Sequence, residues 1–550
     1  MPIRPSSRLH PLVAPALFAG AFLLLVLPSS TVQASPMSSS KVAEATPFED
    51  GWPGMPVPGP APEFEVPTAE NFRLSNGMPV TYIQRGSIPL VHLSLTIHTG
   101  SSADPMGKEG LSAFTADMMN EATSTRDAFQ ISDELQRMAT DLGLGSGLDQ
   151  SSLGLNCLED QLAGSLSLAA DILSNPTFPE AAVQRVRGDR KNRLLTERDS
   201  IGTVNYKAFA RILFGEHYAG RPTSGTAASL DRISGKDMVK WHRQVWKPSN
   251  ASLVVVGRRD LDTMKELLEA GLGSWTASTG GKKRHVNCSN CTQPATTPVA
   301  ALVSPERAEG VHIYWVHRPG ASQSYIQVGN VTPAFDEEKH QAWSLANMVL
   351  GGQFSSRLNL NLREDKGYTY GARTGIWDGP QGGMFRARSS VRTATTAPAL
   401  FEFFKEIREI LGERPITDQE FDAVVSRSKQ GYPARFENMG SVLGMFARAV
   451  ANRRPVDWLL NHDARVDGVS REVAQSSLAA ILDPASLVVV VVGDWHAVVD
   501  SPESAEGSEP SGKLTVGAQV RGLKLGEVTF LDEDGLPADE PAAPAEANGN

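Results

Sequence analysis

Few side chains in this 550-residue sequence are spaced for chemistry. Cys288-Ser289-Asn290-Cys291 has the Cys-x-x-Cys spacing of half a zinc ribbon or a redox pair, but with three cysteines in all there is no second pair to complete a four-ligand site. A small loop disulfide between Cys288 and Cys291 is the simpler reading, and Cys157, in an alternating apolar stretch, reads as a buried small hydrophobe. The eleven histidines are scattered, and His312 and His317 fall on one alternating strand, where core or surface roles outrank metal binding. There is no Gly-x-Ser-x-Gly elbow, no phosphate loop ending in Gly-Lys-Ser/Thr and no His-Glu-x-x-His. Gly143, Gly145 and Gly147 lack the strand and helix context of a nucleotide-binding loop and read as a turn.

The elements that would carry a site follow an internal repeat. Ser234 opens a helical stretch that ends at Pro248, and a strand over 253–256 stops at Gly257; an offset of 236 residues gives Ser470, Pro484, a strand over 489–492 and Gly493 without a gap. Thr177-Phe178-Pro179-Glu180 and Thr417-Asp418-Gln419-Glu420 both have the capping-box pattern, at an offset of 240, so a small insertion separates the halves. Units of about 200 residues are too long for a solenoid, so the chain is a duplicated domain. Strands at 80–83, 91–98, 312–316 and 325–328 precede amphipathic helices, and the helix over 399–411 sets Leu400, Phe404, Ile407 and Leu411 on one face. The apolar run 487–492 reads as a buried strand. The fold class is therefore α+β: two homologous domains, 68–275 and 299–500, each a mostly antiparallel sheet covered by helices and joined by a polar linker over 276–298.

Longer strings carry a family resemblance. Leu74-Ser75-Asn76-Gly77-Met78-Pro79-Val80, Pro89-Leu90-Val91, His98-Thr99-Gly100-Ser101-Ser102-Ala103-Asp104-Pro105 and Gly107-Lys108-Glu109-Gly110-Leu111-Ser112-Ala113-Phe114 resemble the insulinase, pitrilysin and mitochondrial processing peptidase family of zinc metallopeptidases, over about residues 68–500. The resemblance implies two or four copies of one α+β domain, in keeping with the repeat. In active members the helix after this Gly-Leu carries His-x-x-Glu-His: residues i and i+4 point the same way and grip one zinc, while the carboxylate at i+3 takes a proton from the bound water. Here those positions are Ala113, Ala116 and Asp117. The family's third ligand, a glutamate about 75 residues on, falls in Lys191-Asn192-Arg193-Leu194, which has no carboxylate. Residues 110–122 then read as a packing helix with Leu111, Phe114, Met118 and Met119 inward.

In the second half, Arg318-Pro319-Gly320-Ala321-Ser322-Gln323-Ser324-Tyr325-Ile326, Leu350-Gly351-Gly352-Gln353-Phe354-Ser355-Ser356-Arg357-Leu358 and Asn361-Leu362-Arg363-Glu364-Asp365-Lys366-Gly367-Tyr368-Thr369-Tyr370 are similar to the family's substrate-holding domain. The resemblance implies that Arg363 and Tyr370, seven apart, contact the scissile carbonyl, where fixed donors stabilise the developing oxyanion. The plainer readings are an ion pair between Arg363 and Glu364 and a strand-edge aromatic at Tyr370; Tyr368, two residues away, would share its face if the stretch is extended. The implied role is a substrate-binding subunit that binds no cofactor itself, has no independent activity, and pairs with a homologue carrying H-x-x-E-H and the zinc to cleave peptides or unfolded polypeptide. The alternative is a catalytically silent scaffold or peptide-binding protein of the same fold, with a homodimer as the fallback assembly.

Composition is consistent with this. The formal net charge is −10 and 41% of residues are hydrophobic, which disfavours a nucleic-acid binder. Ten acidic residues against three basic ones in 501–550 give that acidic tail a net −7, with one strand expected near 524–531. Residues 1–34 combine Arg4 and Arg8 with an apolar run and Val32-Gln33-Ala34, the pattern of a secretory signal peptide, with an uncleaved anchor as the alternative. The expected location is exported, in the bacterial periplasm, without stable membrane insertion; 35–67 is a Pro-, Ser- and Gly-rich extended leader.

Overall fold

The computed structural model describes residues 64–276, 305, 310–379, 381–455, 457–484, 487–500 and 512–543. The 1–34 segment, Cys288, Cys291 and nearly all of the linker lie outside the described residues. In the first half, β1 (Glu70–Arg73), β2 (Pro79–Gln84), β3 (Leu90–Ile97), β4 (Asp141–Ser146), β5 (Ser151–Leu158) and β6 (Ala251–Gly257) form a sheet in the order β1-β2-β6-β3-β5-β4. In the second, β7 (Val311–His317), β8 (Gln323–Thr332), β9 (Thr369–Gly379), β10 (Gly382–Arg392) and β11 (Val488–Gly493) are followed by a short β12 (Val498–Asp500) and β13 (Lys513–Thr515) paired with each other, and by β14 (Gly526–Leu531). The second sheet runs β14-β7-β11-β8-β10-β9, which matches the first strand for strand.

The repeat at offset 236 is thus a repeat of topology. β6 and β11 are its equivalent inner strands, each parallel to one neighbour and antiparallel to the other. Every residue of both is buried, which is why they read as uninterrupted valine runs rather than alternating ones. Ser234 and Ser470 cap equivalent helices as their spacing predicts. The outer strand differs between halves. β1 begins its half and runs antiparallel to β2, whereas β14 ends its half and runs parallel to β7.

The strand expected near 524–531 is β14, which completes the second sheet, with Phe530 and Leu531 buried. Two expectations are corrected. Gly143 and Gly145 lie in edge strand β4, not in a turn; the glycines removed the alternation by which a strand is recognised. Thr177 is not a helix cap, because Pro179 takes the N-cap position of the helix Glu180–Asp199. Proline forces the preceding Phe178 toward extended backbone, and Thr177 instead hydrogen-bonds to the 122–123 segment. Thr417 does form its capping box with Glu420.

One face of each sheet packs on helices of its own half. Leu95 and Leu155 belong to a core with Leu166, Ile172 and Leu268, and Ile326 and Phe385 to one with Leu400, Phe404 and Ile407. The opposite faces are covered reciprocally. The helix Ile201–Phe214, from the first half, lies on Val488, Val490 and Val492 of the second sheet; its Asn205 Nδ2 donates to the carbonyls of Tyr325 (3.0 Å) and Val490 (2.8 Å). The helix Met439–Ala451, from the second half, lies on Ile83, Val254 and Val256 of the first sheet. Phe64, near the end of the leader, packs with its ring tilted against Phe436 beside it, 5.4 Å between centres.

His242 gives this core a measurable pH response. It is buried with Nε2 3.0 Å from the Leu173 carbonyl, and burial holds its pKa down to about 4 against an ordinary 6.5. Its stabilising contribution is complete above pH 6.5 and is lost as pH falls toward 4, because the unfolded chain takes up the proton first. In His242→Gln, the drop in unfolding free energy between pH 7 and 4.5 in urea should be smaller than in the parent by about 2–3 kcal/mol.

Candidate functional site

Gly110 opens the helix Leu111–Met119 with φ 88°, and a Cβ there would meet the Ser224 carbonyl oxygen at 2.8 Å, so glycine is required. The Asp104 carboxylate accepts from the Gly110 and Ser112 backbone N–H groups, both at 2.9 Å, and pins this helix start. Burial raises Asp104 to about 7, against the pull of those hydrogen bonds. Leu111, Phe114, Met118 and Met119 are buried as expected, and Ala116 is fully buried with them. Ala113 and Asp117 face a cavity of about 250 Å³.

Across the cavity the helix Glu180–Asp199 presents Arg190, Arg193, Leu194 and Glu197. Arg190 is only 6% exposed. Its Nη1 lies 2.5 Å from Asp117 Oδ2, its Nη2 donates to the Ser224 carbonyl (3.2 Å), and its guanidinium sits 5.5 Å above the Phe114 ring. Arg193 approaches the same carboxylate at 4.0 Å. A catalytic zinc needs about three nitrogen, oxygen or sulfur donors. The set at the three motif positions is two alanines and one carboxylate already held by a guanidinium, and Glu197, the other carboxylate lining the cavity, is paired with Lys207; this does not fit the metal. Among the described residues no three His, Cys, Asp or Glu side chains come together for one. Arg190 stands one residue before the 191–194 run that the family spacing points to, and the helical spacing 190, 193, 194, 197 is the signal that includes it.

Removing one partner of this pair strands the other. Asp117→Ala should destabilise the chain by roughly 2–3 kcal/mol in urea unfolding, below the full range for buried pairs because the Asp117 side chain is 31% exposed. Adding Arg190→Met should recover most of that loss.

In the second half, Arg363 sits on a widened π-type helical turn, Leu360–Asp365, a departure from regular helix that recurs at functional sites. Asn361 fixes this turn by donating to Glu402 and Glu406 of the helix Thr396–Leu411, and Asn359 bridges the Phe354 carbonyl to the Ala372 N–H of β9. Arg363 pairs with Glu364 (3.1 Å) and lies 4.7 Å from the Phe354 ring centre. Tyr370, on β9, is 89% exposed. Tyr368 differs from it: it precedes β9 and packs half-buried against the second core, so a bulge where β9 meets β10 removes the ambiguity of face.

Residues 80–225 match the insulinase (peptidase family M16) model and residues 232–428 the peptidase M16 inactive domain, and the chain belongs to this family. It is 21% identical over 432 residues to an uncharacterized zinc protease of Rickettsia bellii, covering 76% of this chain and 99% of that protein. It is 19% identical over 387 residues to a protein of the same description from Streptomyces coelicolor, covering 70% and 81%. Among solved structures, a peptidase M16 inactive domain from Pseudomonas fluorescens has the same fold, with a TM-score of 0.69 at 20% identity over 80% of this chain and all of that one. Among the described residues no helix is long and apolar enough to cross a membrane.

Proposed function

We propose that this chain is the substrate-binding, non-zinc subunit of an exported heterodimeric metallopeptidase. Arg363 and Tyr370 donate to the scissile carbonyl of an extended peptide, and a homologous subunit carrying H-x-x-E-H supplies the zinc and the activated water. The observation that carries the reading is one-sided loss: a guanidinium–carboxylate pair occupies the helix positions where the family resemblance expects zinc ligands, while Tyr370, seven residues after Arg363, is exposed on β9. Edge strand β4, beside the cavity, has no strand paired to its outer side among the described residues, so an extended peptide can pair there.

The second reading, a silent scaffold, is favoured by the Arg363–Glu364 ion pair. Both side chains are substantially exposed, so the pair is worth about 0–1 kcal/mol and yields easily to a stronger acceptor. The test is reconstitution. The purified chain with added zinc should cleave nothing, and the H-x-x-E-H homologue should gain peptidase activity when it is added. Turnover by the isolated chain, or a homologue equally active without it, overturns the proposal.

A further inference from the structure

The second sheet carries a charge pattern that the catalytic reading leaves unused. Along β10 the residues Phe385, Ala387, Ser389 and Val391 are buried, and the alternate residues Arg386, Arg388 and Arg392 take the other face. Arg388 lies directly opposite Arg373 of β9. Arg373, Arg388 and Arg392 are exposed; Arg386 is half-buried, with its guanidinium 5.9 Å from the Tyr206 ring centre. None of the four has a carboxylate partner among the described residues. Several other arginines of this half do have one: Arg357 with Glu420, Arg414 with Glu406 and Arg471 with Asp418. Like charges directly opposite on a sheet are destabilising, so the fold carries a cost at 373/388 with no internal return. The helix Ile201–Phe214 covers the β8–β11 part of this face and reaches Arg386 through Tyr206, while Arg373, Arg388 and Arg392 stay exposed beyond it as a basic strip on an otherwise acidic chain.

We propose that this strip binds an acidic stretch of an extended polypeptide substrate. Alternate residues of a strand repeat at about 7 Å, so Arg386 and Arg388 match carboxylates at alternate positions of an extended peptide, with Arg373 adding a second charge beside Arg388. Tyr370 is three residues from Arg373 on the same strand, so the acidic stretch lies to a fixed side of the carbonyl that Tyr370 addresses. The inference rests on the substrate-binding reading above and names the substrate class that goes with it.

The experiment uses the full chain and three fluorescein-labelled 12-residue probes: a peptide with glutamate at alternate positions, the same peptide with glutamine there, and oligothymidylate. Binding is followed by fluorescence anisotropy at 50 and 300 mM salt. The glutamate peptide should bind at least tenfold more tightly than the glutamine peptide at low salt, and the advantage should collapse at high salt. Arg373→Gln with Arg388→Gln should cut the preference below twofold without lowering the melting temperature, since both side chains are exposed. Equal binding of the two peptides overturns the acidic preference and leaves peptide binding standing. A preference that survives the double substitution overturns the strip as its source, and oligothymidylate binding as tight as the glutamate peptide overturns the choice of ligand. Failure to bind either peptide overturns the substrate-binding reading as well.

Discussion

Tyr370→Phe is expected to lower kcat of the reconstituted pair roughly 100- to 1000-fold with little change in KM, the effect of deleting one donor to a developing oxyanion. Phenylalanine keeps the ring and loses only the hydroxyl, and a side chain 89% exposed in the free chain makes little packing contribution to disturb. Arg363→Ala should act in the same direction. Arg363→Lys should not restore the rate, because an ammonium on a flexible stem does not reproduce the planar fork that Arg363 holds against Phe354. The measurement is steady-state peptide cleavage with the zinc-bearing homologue in excess. Unchanged rates in both Tyr370→Phe and Arg363→Ala would mean that the pair has no part in turnover and that the scaffold reading is correct.

The largest effect on stability is expected from removing β14. A chain ending at Lys524 loses the parallel partner of β7 along with Phe530, whose ring stands edge-on to Trp495 at 5.0 Å; Trp495 in turn packs edge-on to the fully buried Trp315 at 4.9 Å. Phe530→Ala alone should cost about 3 kcal/mol. The truncation, which also bares the β7 edge, should cost enough that the second half no longer unfolds in a single cooperative urea transition. Far-ultraviolet circular dichroism against urea distinguishes the cases, and a truncated chain with the parent's midpoint would contradict the role given to β14.

Local features were legible from the residues alone. The buried runs of β6 and β11, the caps at Ser234, Ser470 and Thr417, and the inward face of the 111–119 helix are each written in fewer than about fifteen consecutive residues, and a constant offset exposed the duplication. What escaped notice depends on distant partners. Nothing local tells that the 201–214 helix serves the other half's sheet, that Arg190 sits against Asp117 seventy-three residues earlier, or that Arg388 faces Arg373. Glycines hid β4, and the Phe178-Pro179 pair disguised a loop as a cap. Tyr368 and Tyr370 could not be separated because one irregular pairing, invisible in the sequence, decides which is buried.

The placement of β14 bears on how the polypeptide matures. The sheet edge at β7 waits for residues more than two hundred positions later, and the outer surface of the earlier sheet waits for the 439–451 helix. The first half cannot finish burying its apolar surface before the 439–451 helix is made, nor the second before β14, so productive collapse waits for these late segments. A nascent chain held open in this way would accord with the export proposed above.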